Sequence, residues 1–302
     1  MIDIHTKLIT LIGEPLGQSF AARMQNRAYE AAGINMRYFY TETGSAHLEE
    51  ILSGIRYMPS FAGAAVTKPN KVAVMRFLDE LDPLCEKTGA CNTVVKQPDG
   101  TLKGYNTDGI GFYTALREEA GINVTGKTFF CFGAGGAGRA ICSALAFYGA
   151  KRICITSRTP ESRETVAEKI NANFAPVAEA VAQGDYSTLP ECDVIINASG
   201  VGMGKTEGCS PLPKAQVVPG KLYFDACYNP AKTQFLLDAE AAGCRILNGL
   251  GMSLYQGAAQ IELWQEKKAP VEEMRRELLK ILKENNGKTA ETPESGSCAR
   301  II

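Results

Sequence analysis

A run of closely spaced glycines restricts the fold of this chain more than any other feature. The segment 127–132 has the composition of a buried strand and leads directly into Gly133-Ala134-Gly135-Gly136-Ala137-Gly138, after which a helical pattern continues to Gly149. The G-x-G-x-x-G spacing lets a strand turn tightly into a helix whose positive end can approach a pyrophosphate. The segment therefore predicts a unit that binds a dinucleotide. A glycine-rich turn that holds no ligand is the alternative that the motif alone leaves open.

Strands alternate with helices along the rest of the chain, which predicts an α/β fold. After the glycine-rich turn the alternation is typical of a doubly wound parallel sheet of the Rossmann type. The first third has the pattern of a separate α/β domain, in which apolar spacing predicts a helix over 70–81. Two helices over 252–265 and 271–284 have no strand behind them, and we expect them to fold back onto the first domain.

The predicted organisation is two domains and a tail. The N-terminal α/β domain covers 1–108 and is completed by C-terminal helices within 252–285, and the Rossmann-type domain covers 109–251. Residues 286–302 lack hydrophobic periodicity, so we expect a disordered tail there.

Composition excludes several classes of function. The chain has 32 Lys and Arg against 33 Asp and Glu, a formal net charge of −1, so we expect neither nucleic acid nor an anionic membrane as a partner. No apolar run approaches the roughly 20 residues of a membrane span, and we expect a cytoplasmic protein. The ten cysteines are scattered without a C-x-x-C pair, which predicts mostly reduced thiols and no metal site.

The end of the strand that follows the glycine-rich helix indicates which dinucleotide binds. An Asp or Glu at this point would bond the ribose 2′-hydroxyl of NAD. Here the strand ends in Ser157-Arg158-Thr159, and a guanidinium with two hydroxyls suits the 2′-phosphate of NADP. We therefore predict NADP over NAD, with a surface Arg158 that binds no cofactor as the alternative.

Scarce histidine restricts how a proton can be moved. The two histidines, His5 and His47, are expected at the surface, so proton transfer needs another residue type. Polar residues end two predicted strands of the first domain, and they include Lys71 and Asp108. A Lys beside an Asp can take the proton of a hydroxyl that loses a hydride. An ordinary ion pair is the alternative reading of these two residues.

These segments resemble the motifs of the shikimate dehydrogenase family, from about Ile12 to about Trp264. The matching segments, in chain order, are Ile12-Gly13-Glu14-Pro15 with Ser19, Val66-Thr67-x-Pro69-x-Lys71, Gly89-Ala90-Cys91-Asn92-Thr93, Tyr105-Asn106-Thr107-Asp108-Gly109, the glycine-rich turn, Ser157-Arg158-Thr159, Asn197-Ala198-Ser199 with Gly202-Met203, Tyr228-Asn229-Pro230, and Gly249-Leu250-Gly251-Met252 with Gln256.

The resemblance implies reversible NADPH-dependent reduction of 3-dehydroshikimate to shikimate or a closely related cyclic hydroxy acid. It implies that the first domain binds the substrate, that Lys71 donates and accepts the proton, and that Asp108 holds Lys71 and the substrate hydroxyls. The implied substrate contacts are Ser19 and Tyr228 at the carboxylate, and Thr67, Asn92 and Gln256 at the ring hydroxyls. The implied cofactor contacts are Gly133, Ala134, Gly135, Gly136, Ala137, Ser157, Arg158, Thr159, Ser162, Ala226 and Gly249.

Two departures from the family pattern leave the substrate open. The family's Ser-x-Ser-Pro stands here as Ser19-Phe20-Ala21-Ala22, and its Asn-Val-Thr stands as Ala65-Val66-Thr67, so a hydroxyl and an amide are missing. These losses are compatible with an ordinary shikimate dehydrogenase. They are equally compatible with a divergent paralogue that uses quinate, an amino- or deoxy-analogue, or another cyclic hydroxy acid.

Further alternatives concern the cofactor, the activity and the assembly. Residues 24–26 and 69–71 resemble the quinate/shikimate subgroup, whose members often accept NAD, so NAD stands beside NADP as a possible cofactor.

A non-catalytic NADP-binding regulator is the alternative from another class of function, although such a sensor has no chemical need for both Lys71 and Asp108. The sequence does not decide whether the chain forms a homodimer.

Overall fold

The computed structural model describes residues 2–17 and 19–286, and within them the chain forms twelve strands and ten α-helices. The strands are β1 (Lys7–Gly13), β2 (Met36–Glu42), β3 (Phe61–Val66), β4 (Glu80–Leu81), β5 (Thr93–Lys96), β6 (Leu102–Tyr105), β7 (Thr128–Phe132), β8 (Arg152–Thr156), β9 (Ala178–Ala180), β10 (Val194–Asn197), β11 (Leu222–Asp225) and β12 (Arg245–Asn248). The α-helices are α1 (Ala21–Ala31), α2 (Leu48–Tyr57), α3 (Asn70–Ala73), α4 (Pro83–Thr88), α5 (Thr107–Ala120), α6 (Gly136–Phe147), α7 (Pro160–Asn173), α8 (Gln234–Ala241), α9 (Leu250–Gln265) and α10 (Val271–Asn286). None of the helices in this described part is long and apolar enough to cross a membrane.

The chain divides into two compact units. Unit 1 runs to Gly111 and resumes at Leu254, and unit 2 comprises Phe112–Ser253. The divisions fall inside α5 and α9, whereas the boundaries predicted after 108 and after 251 fall in the first turns of the same helices. Apart from Asn286, with which α10 ends, the predicted tail lies outside the described residues.

Unit 1 is a six-stranded mixed sheet in the order β2-β1-β3-β5-β6-β4. β5 runs antiparallel to both of its neighbours, while the other pairs are parallel. One group of apolar side chains from β3, β5 and β6 packs with Leu48, Leu52 and Ile55 of α2. α9 is held to the sheet by Trp264, whose indole Nε1 donates to the carbonyl oxygen of Val94 at 3.0 Å.

The predicted helix over 70–81 is wrong beyond its first turn. α3 ends at Ala73, a short 3₁₀ turn covers Val74–Phe77, and the chain then becomes extended to form β4. β4 pairs with β6, with Glu80 opposite Lys103. The apolar residues of this segment therefore lie on a short turn and not on one face of a long helix. After Phe77 the backbone pairs with β6, so it cannot continue the helix.

Unit 2 is a six-stranded parallel sheet in the order β12-β11-β10-β7-β8-β9, and it is covered on both faces. Phe129 and Cys131 of β7 pack with apolar residues of α6 and α7, while Phe130 and Phe132 pack with Phe235 and its neighbours in α8. This alternation, with both faces apolar, is what a central strand of a doubly wound sheet requires. The fold class predicted from the sequence is confirmed.

The glycine-rich turn is held by close backbone packing. Gly133 has φ of +110°, and a Cβ on Gly138 would lie 1.9 Å from the carbonyl oxygen of Gly133. Glycine is therefore required at both positions for β7 to turn directly into α6. The turn places the first residues of α6 at the carboxyl edge of the sheet.

Candidate active site

An ion pair stands at the carboxyl edge of the unit 1 sheet. Lys71 Nζ lies 2.6 Å from Asp108 Oδ2, with side-chain exposures of 32% and 18%. Lys71 lies in α3, after β3, and Asp108 lies in the first turn of α5, after β6. Because β3 and β6 run in the same direction on either side of β5, the residues that follow them reach the same edge. The structure thus brings together the two side chains predicted to move the proton.

Asn92 completes this cluster from the strand between them. It precedes the antiparallel β5, so it lies at the same edge, and it is 3% exposed. Its Nδ2 donates to Asp108 Oδ1 at 2.9 Å, while Lys71 holds the other carboxylate oxygen. Its Oδ1 accepts from the Thr107 backbone N–H at 2.8 Å. The carboxylate of Asp108 is therefore held on both oxygens, which leaves Lys71 as the half-exposed group that a substrate can reach.

The other predicted substrate residues of unit 1 are less constrained. Thr67 follows β3 and Gln256 lies on α9; both are half-buried, and neither side chain has a hydrogen bond to another described residue. Ser19 is half-buried before α1, and its Oγ accepts a 3.3 Å hydrogen bond from the backbone N–H of Ala21. Ala65 is 2% exposed within β3.

Tyr40 occupies a position that the sequence patterns did not reveal. Its hydroxyl donates to the carbonyl oxygen of Ser19 at 2.7 Å and accepts from the backbone N–H of Ala22 at 3.2 Å. This hydroxyl therefore lies beside the segment 19–22, where the family's second serine is missing. Tyr40 comes from β2, far from that segment in sequence, so no local motif could have indicated the contact.

Tyr228 belongs to unit 2, where it follows β11. Burial raises the pKa of its hydroxyl to about 12, and Ser253 is its hydrogen-bond partner. The hydroxyl is therefore a proton donor at neutral pH, as recognition of a carboxylate requires.

Unit 2 contains a cavity of about 450 Å³ at the carboxyl edge of its sheet. Seven of the eleven predicted cofactor residues line it: Gly133, Ala134, Gly135, Ser157, Arg158, Thr159 and Ser162. Gly136 and Ala137 form the first turn of α6 without lining the cavity. Ala226 and Gly249 do not line it either, and they contact one another, since a Cβ on Gly249 would lie 2.1 Å from the Ala226 carbonyl oxygen.

The residues of this cavity fit a dinucleotide phosphate. Gly135, the N-cap of α6, has no side-chain capping bond, and a Cβ there would meet nothing within 4 Å. Thr156 lines the cavity, and its Oγ1 is buried without a hydrogen-bond partner among the described residues. The lining side chains in this part of the chain include Arg139 and Arg158 but no Asp or Glu. Free helix amides, an unpaired hydroxyl and two guanidinium groups are what a polyanionic ligand needs.

Arg139 is a cavity residue that the sequence reasoning missed. It is exposed, and its Nε donates to the Ala134 carbonyl oxygen at 3.2 Å. Neither Arg139 nor Arg158 forms a salt bridge within residues 2–17 and 19–286. The signal that could have found Arg139 is its place directly after the last glycine of the motif, one helical turn from the N-terminus of α6.

A buried polar cluster holds the loop 199–201, which lines the cavity. Asp225, which is fully buried, accepts hydrogen bonds from Thr233 Oγ1 at 2.5 Å and Asn197 Nδ2 at 3.0 Å. Asn197 in turn accepts from Ser199 Oγ at 2.6 Å and donates to the Val201 carbonyl oxygen at 2.8 Å. Burial raises the pKa of Asp225, against the opposing effect of these donors. The cluster thus fixes the loop 199–201 that lines the cavity.

Most cysteines in the described part of the chain are free thiols in the core. Eight of them, Cys85, Cys91, Cys131, Cys142, Cys154, Cys192, Cys227 and Cys244, are free and buried. Within the described residues there is no group of three or more His, Cys, Asp or Glu that could hold a metal ion.

Three models of known protein families match segments of this chain. Residues 11–94 match the model of the shikimate dehydrogenase substrate binding domain, and 249–279 match that of the shikimate 5'-dehydrogenase C-terminal domain. Residues 128–198 match the model described as NADP oxidoreductase coenzyme F420-dependent.

Individual relatives cover nearly the whole chain. The shikimate dehydrogenase (NADP(+)) of Moorella thermoacetica is 38% identical over 298 residues, covering 98% of this chain and 99% of the relative. The shikimate 5-dehydrogenase of Listeria monocytogenes, solved in complex with shikimate and NAD, superposes with a TM-score of 0.87 at 39% identity, covering 91% of this chain and 97% of that one. The 5-ketofructose reductase of Gluconobacter sp. strain CHM43 superposes with a TM-score of 0.86 at 32% identity, covering 92% and 100%.

Proposed function

The chain belongs to the shikimate dehydrogenase family, and we propose that it catalyses the reversible NADP-dependent reduction of 3-dehydroshikimate to shikimate or a closely related cyclic hydroxy acid. One observation carries the proposal. Lys71 Nζ lies 2.6 Å from Asp108 Oδ2, and Asn92 holds the other oxygen of that carboxylate, at the carboxyl edge of the sheet that matches the substrate-binding model.

Lys71 moves the proton in this proposal. In the direction of reduction its ammonium group donates a proton to the ketone oxygen, and in the direction of oxidation the amine takes the hydroxyl proton. Asp108 balances the charge of Lys71 through Oδ2 and keeps Nζ in one place. The bound cofactor would supply the hydride as NADPH in reduction and accept it as NADP⁺ in oxidation. Thr67, Asn92 and Gln256 would bind ring hydroxyls, and Ser19 and Tyr228 would bind the carboxylate.

Tyr40 places a hydroxyl beside Ser19, next to the position of the missing family serine. This hydroxyl gives its one proton to the Ser19 carbonyl oxygen, so it takes the place of that serine only if the proton turns to a substrate carboxylate. The Gluconobacter relative nevertheless carries a sugar-ketone reductase name at similar structural likeness, so the substrate must be tested directly.

The cofactor cavity supports NADP. Gly133, Gly135 and the first turn of α6 would hold the pyrophosphate, and Arg158 with Ser157, Thr159 and Ser162 would hold the 2′-phosphate. The lining includes no acid among the described residues to bond the 2′-hydroxyl of NAD. Location in the cytoplasm stays a prediction, and assembly as a homodimer stays an open alternative.

The experiment is a substrate panel at saturating NADP. Purified protein is assayed with shikimate, quinate, amino and deoxy analogues, and 5-ketofructose with NADPH, and each active pair is repeated with NAD or NADH. We expect turnover of shikimate with NADP and complete loss of kcat in Lys71→Ala. The matched control is Lys68→Ala, an exposed lysine of the same segment, which should retain activity. Tight NADP binding without turnover of any acid would instead identify a regulator.

A further inference from the structure

A line of buried amides runs from α1 through α9 to Asn92. Gln25 is fully buried, and its Nε2 donates to the Gly257 carbonyl oxygen at 3.0 Å and to Gln260 Oε1 at 3.3 Å. Gln260 is 4% exposed, and its Nε2 donates to Thr93 Oγ1 at 3.0 Å. Thr93 Oγ1 donates to Asn92 Oδ1 at 2.9 Å. Among the described residues, neither glutamine bonds Lys71 or Asp108.

Each bond in this line determines the direction of the next. The Gly257 carbonyl can only accept, so the nitrogen end of the Gln25 amide must face it. The second proton of that nitrogen faces Gln260, which therefore presents its oxygen to Gln25 and its nitrogen to Thr93. A hydroxyl has one proton, so the Thr93 hydroxyl, which accepts from Gln260, can donate to Asn92 Oδ1 at 2.9 Å or to Thr107 Oγ1 at 3.2 Å, and the amide oxygen is the nearer acceptor.

Two donors decide which end of the Asn92 amide faces the ion pair: the Thr93 hydroxyl, at the end of this line, and the Thr107 backbone N–H. Asn92 Oδ1 receives protons from Thr93 Oγ1 and the Thr107 backbone, so its nitrogen points to Asp108 Oδ1. A reversed amide would place an oxygen against the carboxylate and leave both without a proton between them. In a buried site such a contact is repulsive.

We propose that Gln260 is a positioning residue for the reaction: through Thr93, and together with the Thr107 backbone N–H, it sets the orientation of the Asn92 amide and so keeps Asp108 in place against Lys71, while Gln25 orients Gln260. The kinetic part of this inference rests on the proposed function. The structural part concerns unit 1 alone and is tested without turnover.

The test combines a spectroscopic signal with kinetics. Protein labelled with ¹⁵N-asparagine is prepared as wild type, Gln260→Leu and Thr93→Val, and the Asn92 side-chain signal is assigned by its absence in Asn92→Asp. We expect the Asn92 Nδ2 signal to shift in Gln260→Leu and kcat to fall about tenfold with the KM for NADPH unchanged, because a buried hydrogen-bonding group loses its partner. Gln265→Leu is the matched control on the same helix, since Gln265 donates elsewhere, to the Trp264 carbonyl oxygen.

Two further variants separate positioning from a structural defect. The double variant Gln260→Leu/Thr93→Val should lose no more activity than the worse single variant, because both act along one line of bonds. Thr93→Ser, which keeps the hydroxyl, should restore the wild-type Asn92 signal. If Gln260→Leu does not fold, the comparison of Thr93→Ser with Thr93→Val and with Gln25→Leu carries the test.

The outcomes distinguish this proposal from the proposed function. An unchanged Asn92 signal in Gln260→Leu, or losses of kcat that add in the double variant, overturns the positioning role. If the wild type turns over none of the acids in the panel, the proposed function fails, and the Asn92 signal still decides whether Gln260 orients the amide.

Discussion

Lys71 Nζ and Asp108 Oδ2 lie 2.6 Å apart, although the two residues follow strands that are separated in the sheet by β5. The pair is partly exposed, and Asn92, which precedes β5, donates a hydrogen bond to the second oxygen of the carboxylate. An ion pair of this kind contributes little to stability when solvent reaches it. Its position at the end of three strands, with one fixed partner and one accessible amine, is instead what proton transfer to a bound substrate requires.

Replacing Asp108 by Asn should abolish most of the activity while leaving cofactor binding intact. The amide cannot balance the charge of Lys71, so we expect kcat to fall by about 10²–10⁴, the range associated with a lost acid or base partner. The cofactor cavity is formed by residues of unit 2, so NADPH binding, followed by its fluorescence, should not change. Asp99→Asn, a surface substitution in the same unit, is the control. Equal losses in the two variants would contradict the role of Asp108.

Local patterns predicted the parts of the site that local geometry determines. The glycine-rich turn could be predicted from the sequence because Gly133 and Gly138 must approach each other within one strand–turn–helix unit. Lys71 and Asp108 could be predicted as polar residues at strand ends. The relatives confirm the family resemblance and NADP as a cofactor.

Contacts between distant segments could not be predicted in the same way. Gln260 and Thr93 are 167 residues apart, and Tyr40 reaches Ser19 across 21 residues from a different element. The helix expected over 70–81 failed for a related reason, because β4 pairs with a strand some 20 residues later. Apolar spacing reports which residues are buried; it does not report which long-range partner takes the backbone hydrogen bonds.

Arg158→Ala should weaken NADPH binding much more than NADH binding. Arg158 is exposed at the cavity without a salt bridge in the described part of the chain, so its guanidinium is available to the 2′-phosphate. Charge-assisted bonds of this kind are worth about 1.5–3 kcal/mol, which corresponds to a rise of about 10–100-fold in the KM for NADPH. Lys169→Ala removes one exposed positive charge from α7 outside the cavity and serves as the control. A parallel rise in the KM for NADH would contradict the assignment.

Gly135→Ala should weaken NADPH binding, whereas Gly138→Ala should destabilise the protein. A Cβ at Gly135 meets nothing within 4 Å and its φ is negative, so the variant should fold normally but place a methyl group where the cofactor backbone approaches. A Cβ at Gly138 would lie 1.9 Å from the Gly133 carbonyl oxygen, so overpacking should destabilise that variant by about 3 kcal/mol. Thermal unfolding and NADPH titration on both proteins separate the two effects. Loss of stability in Gly135→Ala would show that the space around the added Cβ is not open.

Asp79 should make part of the stability of unit 1 depend on pH. Its Oδ2 accepts from Arg56 Nη1 at 2.6 Å and from the Leu102 backbone N–H at 2.7 Å, which ties the segment before β4 to α2 and β6. The hydrogen bond from Arg56, followed by that from Leu102, lowers the pKa of Asp79 below its usual value of 3.8. A carboxylate with a lowered folded-state pKa contributes stability above the unfolded pKa, and it loses that contribution as pH falls through the folded value.

The variant Asp79→Asn tests this linkage. At pH 7 it should be less stable than the wild type, by no more than about 1 kcal/mol because the pair is partly exposed to solvent. The difference should narrow as pH falls below 3.8, since protonated Asp79 then loses the same charge-assisted bonds. Urea unfolding of both proteins from pH 7 to pH 3 measures the difference at each pH. A difference that stays constant over this range would mean that the contribution of Asp79 to stability does not depend on its ionisation, which would contradict the prediction.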